Sequence, residues 1–415
     1  MARWVRSDRT VEDLALFLGL FALVAVAWGA SAWLVCRRSV PVRWIFIGAL
    51  LLRAAALPAG YDSSAGAFQR LLLYDEDIWR YLWEGHSWST GVDPLKTAPA
   101  PLEEYELELT DPALHAQLFD RPEWGEVWDN IGYPQFASPY GWTAHAVFAF
   151  SGWIAPASVV ALKVLLLLFD LGVIWLLVRI GREYLAVGTS AAAIYGWCPT
   201  PVKEIAGSGH LDSVLVFFLL LSVWGLLASR RGIGGAACAL AGLVKPTGWV
   251  LAPLLWRRLG VLALVPAVAA ASLLAWHTPE GMKAYAEHWV FNPLLGRFLP
   301  ELRWLEVGFA LATTGGVALW RMSLDDGTAE AAVDYVLWTL GAFLLTTPML
   351  APWYLCWILP FAALRRSVFW LTLGVTVFVS YAHYVDAGNS AWVFLFELGV
   401  PLGLASMAWH LRTTA

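Results

Sequence analysis

Three adjacent carboxylates, Asp75-Glu76-Asp77, form the densest charge in a very apolar chain, and Arg80 follows them closely. Carboxylates in such a place can take a proton from a hydroxyl or offer oxygens to a cation. An acidic helix start is the plain alternative, since acids favour helix N-termini. Charge clustered beside apolar spans costs free energy, which argues for a chemical task. Further candidates follow in chain order: Lys163, Glu204, Gly207-Ser208-Gly209-His210-Leu211-Asp212, a lone Lys245, His288-Trp289-Val290-Phe291-Asn292 and Pro352-Trp353-Tyr354. Arg80, Lys163 and Lys245 suit phosphate, Arg as a fork and Lys as a point charge. Lys163 is equally able to snorkel to an interface. An unpaired ammonium in the uncharged stretch around Lys245 would be expensive, so it needs a partner or a ligand. The glycines before His210 let backbone approach a ligand, with side-chain capping by Ser208 or Asp212 as the alternative. Glu204 either serves the same site or pairs with Lys203. His210, Asp212 and the nearby acids could hold a divalent cation through oxygen and nitrogen, which stays the alternative; no metal-site spacing is present, and the reading is that neither metal nor cofactor is needed.

These side chains need membrane helices to hold them. The chain has 415 residues, 59% hydrophobic and 14% charged, with a mean hydropathy of +0.61, which is outside the range of an ordinary soluble domain. Uncharged runs of about 20 residues recur, long enough to cross a hydrocarbon core. The fold class expected is all-α, a polytopic membrane protein of about 11 to 13 spanning helices in a single unit over 1–415. Spans are expected near 13–35, 40–58, 158–178, 187–204, 211–228, 259–276, 302–320, 332–350, 353–364, 367–385 and 390–410. The segments 232–244 and 247–256 read as two half-length helices flanking Lys245-Pro246 and shielded by protein. The stretch 139–154 reads as a helix lying along the outer interface. The 26 Trp suit rings anchored at headgroup level. The four Cys show no disulfide framework or metal spacing and read as buried packers. The N-terminal stretch, roughly 14–35, is long for a signal sequence and reads as a retained first helix.

Basic residues recur at Arg37/Arg38/Arg43, Arg179/Arg182, Arg230/Arg231, Arg257/Arg258, Arg321, Arg365/Arg366 and Arg412. All fall on one side when the spans alternate, and that side is expected in the cytoplasm. The segment 59–140 then lies outside, as part of a long extracytoplasmic loop over 59–157. It carries 15 acidic residues against four basic ones. The candidate residues gather on that outer side. Neither a Walker pattern nor a dinucleotide-binding glycine fingerprint occurs, and no nucleic-acid partner is expected.

In this order the motifs resemble the GT-C superfamily of polyprenyl-phosphate-sugar glycosyltransferases. Asp75-Glu76-Asp77-Ile78-Trp79-Arg80-Tyr81-Leu82-Trp83-Glu84-Gly85 is similar to the DDIxRYxWDG stretch of bacterial polyprenol-phosphate-mannose-dependent mannosyltransferase-like proteins. Gly91-Val92-Asp93-Pro94-Leu95 stands at their GxNPY element, and Trp197 to Asp212 resembles WxPxxxxExAGSGHxD. Leu243-Val244-Lys245-Pro246, Trp289-Val290-Phe291-Asn292 and Pro352-Trp353-Tyr354 complete the series over about residues 70–360. The layout is also similar to the first mannosyltransferase of glycosylphosphatidylinositol synthesis, with Asp75 and Asp77 spaced as its DxD. Asp93 replaces the usual Asn, Leu95 the usual Tyr, and Ser138-Pro139-Tyr140 a Tyr-Pro-Pro element; these departures bear on acceptor and sugar identity.

The resemblance implies an inverting transfer of a hexose, with mannose expected, from a polyprenyl-phosphate donor to a lipid or glycan acceptor outside the cytoplasmic membrane. Such a transfer requires a base for the acceptor hydroxyl and positive charge for the departing phosphate. Asp77 is the first candidate base, then Asp75, with Glu76 beside them. Lys245, Arg80 and Lys163 are expected at the donor phosphate. His210, Asp212, Glu204, Trp289, Asn292, Trp353 and Tyr354 are expected around sugar or acceptor. Aromatic belts explain the last four equally well. Asp170 and Arg53, both inside spans, read as structural, Arg53 as a partner for the acidic cluster. The rival readings are a transporter or lipid flippase, which predicts internal symmetry not seen here, and a non-catalytic subunit of a glycan-assembly complex.

Overall fold

The structure, a computed structural model, describes residues 11–58, 77–100, 104–277, 279–299, 302–384 and 391–413. Asp75, Glu76 and the N-terminal arginines lie outside the described residues. The protein is an all-α membrane protein, with no β-strand among the described residues beyond an isolated bridge between Phe291 and Met349.

Two apolar helices come first, α1 (Val11–Val35) and α2 (Val42–Ala56). The segment after α2 folds as α3 (Asp77–Ser89), α4 (Glu104–Thr110), α5 (Pro112–Leu118), α6 (Pro122–Asp129) and α7 (Trp142–Ile154). Helix α8 (Val159–Glu183) starts where the Ser158 hydroxyl accepts from the amide of Ala161, satisfying one of the otherwise orphaned first-turn donors. The expected span 187–204 is broken. Helix α9 (Ser190–Gly196) ends before Pro199 and Pro201, and a π-helical turn, Val202–Gly207, follows. Proline lacks the amide that a continuous helix needs, which accounts for the break. Helices α10 (Asp212–Leu227) and α11 (Arg231–Gly242) pack closely as an antiparallel pair.

The two half-length segments around Lys245-Pro246 are present as α11 and as a 3-10 turn (Pro246–Leu251) running into α12 (Ala252–Leu259). Then come α13 (Val265–His277), α14 (Glu280–His288), α15 (Arg303–Ser323) and α16 (Ala329–Thr346). The chain ends with a 3-10 turn (Pro352–Trp357), α17 (Leu359–Arg365), α18 (Val368–Thr376), a 3-10 stretch (Val377–Tyr384) and α19 (Ala391–Thr413). Among the described residues four helices are long and apolar enough to cross a membrane, within α1, α8, α16 and α19. Shorter apolar helices, Asp212–Leu227, Val265–His277 and Val368–His383, accompany them. The expected 11 to 13 spans thus become a few continuous helices and several interrupted ones. Helix α7 has 13 residues, about 20 Å, too short to cross alone.

Two features pin the site's scaffold. Gly141 and Thr143, at the start of α7, donate their amides to the carbonyls of Val244 and Leu243 at 3.2 and 3.1 Å. A Cβ on Gly141 would run into the Leu243 carbonyl. In the span interior, Arg53 pairs with Asp170 and donates to the Gly196 carbonyl at 2.7 Å, while the Tyr195 hydroxyl donates to Asp170 at 2.7 Å. Arg53 therefore serves α8 and α9, which corrects its expected pairing with the acidic cluster. A buried arginine needs such a fully bonded partner.

Arg257, Arg258, Arg321 and Arg365, four of the basic sites, gather on two acids, Asp325 and Asp334. Arg258 donates to both carboxylate oxygens of Asp325 from Nε at 3.1 Å. Arg365 and Arg321 both reach Asp334, at 2.6 and 3.5 Å. Arg303, at the other end of α15 from Arg321, donates to the Trp289 carbonyl at 2.6 Å. A helix of 21 residues separates those ends by about 30 Å.

Candidate functional site

Trp289 belongs to a cavity of about 530 Å³ between α3, the loop 132–140, α14, α15, α16 and the 3-10 turns Pro246–Leu251 and Pro352–Trp357. Asp77, Arg80, Lys245, Trp289, Trp353 and Tyr354, expected from sequence, all line it. Its walls are mainly apolar and continue past Val250, Leu311, Leu340 and Phe343 among the membrane helices.

Asp77 begins α3, where the helix dipole favours a carboxylate. Its side chain is 30% exposed. Oδ2 accepts from the Tyr81 hydroxyl at 3.3 Å and from the Tyr140 hydroxyl at 3.4 Å, and lies 3.9 Å from His210 Nδ1. Burial, with the neighbouring charges adding to it, pushes both phenols well above their usual range, so both remain neutral donors to this carboxylate.

Lys245 sits where α11 ends and the chain turns extended before Pro246. Its Nζ donates to Asp212 Oδ1 at 2.7 Å and lies 4.9 Å from the Tyr354 ring, 5.1 Å from Trp357 and 5.8 Å from Tyr140. Ring faces stabilise an ammonium when water is excluded. Asp212 is fully buried and also accepts from Trp357 Nε1 at 2.5 Å. Asp212 therefore holds Lys245 instead of capping α10, and Ser208 makes no cap there either.

Arg80 reaches the same cavity, but its guanidinium is engaged by protein. Nε pairs with Glu84 at 2.7 Å, Nη1 donates to the carbonyls of Gly132 and Tyr133, and Nη2 donates to Phe136 at 2.6 Å. It clamps the loop 132–136, which includes Tyr133 in the left-handed region at φ 52°. Arg80 thus clamps this loop at the cavity wall. Glu84, buried behind it, also accepts from Ser138 Oγ at 2.7 Å, and His145 lies 3.4 Å away. Burial pushes the Glu84 carboxyl up, but Arg80, His145 and Ser138 together outweigh it and hold the group below the usual range.

Other expectations resolve differently. Lys163 is buried and donates to the Gly207 and Leu57 carbonyls, away from the cavity lining. Asn292 is buried too and donates to both oxygens of Glu397, at 2.9 and 3.1 Å, while Val290 and Phe291 line the cavity in its place. Glu204 pairs with Lys203 at 3.1 Å and lies 3.3 Å from His210, fully buried and outside the cavity lining. His210 stacks flat on Trp353, with centroids 4.1 Å apart. Gly209, at φ 81°, has Ile78 of α3 against it, so its missing side chain admits a helix where a ligand was expected.

Tyr285 and Trp357 also line the cavity and were not singled out from sequence. Their signals are periodic. Tyr354 and Trp357 eclipse one another in a 3-10 turn, with rings 4.3 Å apart, and Tyr285 stacks on Trp289 one α-turn on. Tyr285 and Tyr354 share a hydroxyl–hydroxyl hydrogen bond. Among the described residues no group of three or more His, Cys, Asp or Glu side chains is arranged to hold a metal ion. Comparison with protein-family models and with curated proteins found no match to this chain.

Proposed function

We propose that the protein is a membrane glycosyltransferase of GT-C type, moving a hexose, with mannose the first candidate, from a polyprenyl phosphate to a hydroxyl acceptor. One observation carries the reading. A single cavity joins a partly exposed carboxylate, Asp77, to an ammonium, Lys245, and runs on between apolar helix faces. The carboxylate suits removal of a hydroxyl proton, and the ammonium suits a leaving phosphate. Rings of Trp289, Trp353 and Tyr354 suit the apolar faces of a sugar. The apolar extension suits the first isoprene units of a lipid donor.

In the proposed reaction the acceptor oxygen gives its proton to Asp77 and forms a bond to the anomeric carbon. The bond from that carbon to the phosphate oxygen breaks, and its electron pair leaves with the phosphate toward Lys245. The anomeric centre inverts. The separation of this end from the arginine-rich end supports an extracytoplasmic site in the cytoplasmic membrane, because basic ends favour the cytoplasm.

The test uses protein in lipid with short-chain polyprenyl-phosphate mannose, glucose or arabinose and a membrane lipid extract as acceptor source. Release of polyprenyl phosphate by wild type, lost in folded Asp77→Asn, supports the reading. No release from any donor with an adequate acceptor pool overturns it.

A further inference from the structure

The buried groups behind Asp77 exceed what a base alone requires. We infer that His210 and Glu204 form a proton relay behind Asp77 that takes over the acceptor proton during transfer. The inference rests on the glycosyl-transfer reading of the same cavity.

His210 is 1% exposed and does not line the cavity, so it cannot touch a substrate there. Its two ring nitrogens face two carboxylates. Nε2 lies 3.3 Å from Glu204 Oε2, and Nδ1 lies 3.9 Å from Asp77 Oδ2. The ring is fixed by the stack on Trp353 and by its own amide, which donates to the Glu204 carbonyl at 3.0 Å. Glu204 is fixed in turn by Lys203 at 3.1 Å and by the Tyr381 hydroxyl at 2.8 Å. Lys203 also donates to Tyr381 at 2.6 Å.

Stability does not account for this arrangement. A buried lysine–glutamate pair is commonly no more stable than apolar residues of the same volume. The turn that carries Lys203 and Glu204 is π-helical, a form rare in helices and concentrated at functional sites. The geometry sets the tautomer. Glu204, already paired with Lys203, makes the closer approach and takes the hydrogen bond from Nε2–H, which leaves the ring's lone pair on Nδ1, the nitrogen facing Asp77.

The protons then balance. Asp77 accepts the acceptor's proton as the new glycosidic bond forms and the sugar–phosphate bond breaks. The resulting carboxylic acid passes that proton to Nδ1, and the imidazolium stands between two carboxylates, Glu204 and the regenerated Asp77. The proton leaves by the reverse path to the departing phosphate or to water. The 3.9 Å gap is wider than a hydrogen bond and must close on substrate, as such contacts commonly do. His210 and Glu204 are positioning residues, acting through Asp77.

The test has two arms on the full chain in lipid. Ring-nitrogen NMR of histidine-labelled protein, with His210→Gln identifying the signal among eight histidines, reads the tautomer. The relay expects Nε2–H in wild type and loss of that preference in Glu204→Gln. In turnover with polyprenyl-phosphate mannose, His210→Gln is expected to lower kcat by about tenfold or more while leaving the donor KM unchanged. Glu204→Gln gives a second reading of the same split should His210→Gln fail to fold. Nδ1–H in wild type overturns the relay whatever the turnover, and so does a His210→Gln enzyme with wild-type kcat. If wild type transfers from no donor, the transfer reading falls. The tautomer then judges the three-residue arrangement alone, Nε2–H supporting it and Nδ1–H overturning it.

Discussion

Lys245 and Asp212 are 33 residues apart in the chain and meet at 2.7 Å, with Trp357 sharing the same carboxylate oxygen. The pair ties the break after α11 to the first residue of α10, and it fixes where a positive charge reaches the cavity. Removing only the acid leaves a largely buried ammonium among aromatic rings without its carboxylate. Asp212→Ala is expected to cost about 3 kcal/mol of stability. The double variant Lys245→Met with Asp212→Asn, which keeps an acceptor for Trp357, is expected to recover most of that melting temperature without recovering turnover. Thermal melts beside donor-consumption assays check both halves.

Asp77 is the carboxylate at the cavity that is partly open and receives two phenol hydrogen bonds. Asp77→Asn keeps the shape and an acceptor oxygen but cannot take a proton. Turnover is expected to fall by about 10²–10⁴-fold with the melting temperature nearly unchanged. An Asp77→Asn protein that turns over like wild type would move the base elsewhere.

The Arg80–Glu84 clamp makes stability depend on pH. Glu84 is held below its ordinary value of 4.5, so the unfolded chain binds its proton more readily than the folded one. The contribution is therefore complete above that ordinary value and is lost as pH falls through the lower folded value. Glu84→Gln is expected to be less stable at neutral pH and to show a flatter decline on acidification. Melting temperatures from pH 7 downward, compared for wild type and variant, measure the difference.

Gly141→Ala places a methyl group against the Leu243 carbonyl at the head of α7. The backbone must move, at a cost of about 1–3 kcal/mol. Because Gly141 and Thr143 bond to the two residues just before Lys245, the shift is expected to reach the ammonium and raise the donor KM. Gly152→Ala, whose added methyl meets nothing within 4 Å, is the matched control and is expected to raise stability by up to about 1 kcal/mol, as alanine does over glycine in a helix, and to leave the donor KM unchanged.

Much of the scaffold is written locally in the chain. Long uncharged runs dictate helices because a bilayer leaves backbone groups no other partner. Pro246 marks the break between the half-length helices because it removes an amide, and a helix ends before it; Pro199 stands beyond the end of α9 in the same way, inside the expected span 187–204. Residue type and spacing, together with the resemblance, singled out Asp77, Arg80, Lys245, Trp289, Trp353 and Tyr354, which line one cavity. How each cation is held was decided only in three dimensions, Lys245 by Asp212 and aromatic rings at the cavity. Arg80 and Lys163 look as suitable as Lys245 in the sequence, yet the carbonyls of 132–136, Gly207 and Leu57 engage them. Asn292 is likewise drawn to Glu397, 105 residues on. A side chain's chemistry follows from its type, but its availability depends on donors and acceptors brought in by distant segments, and those meet only when the helices pack.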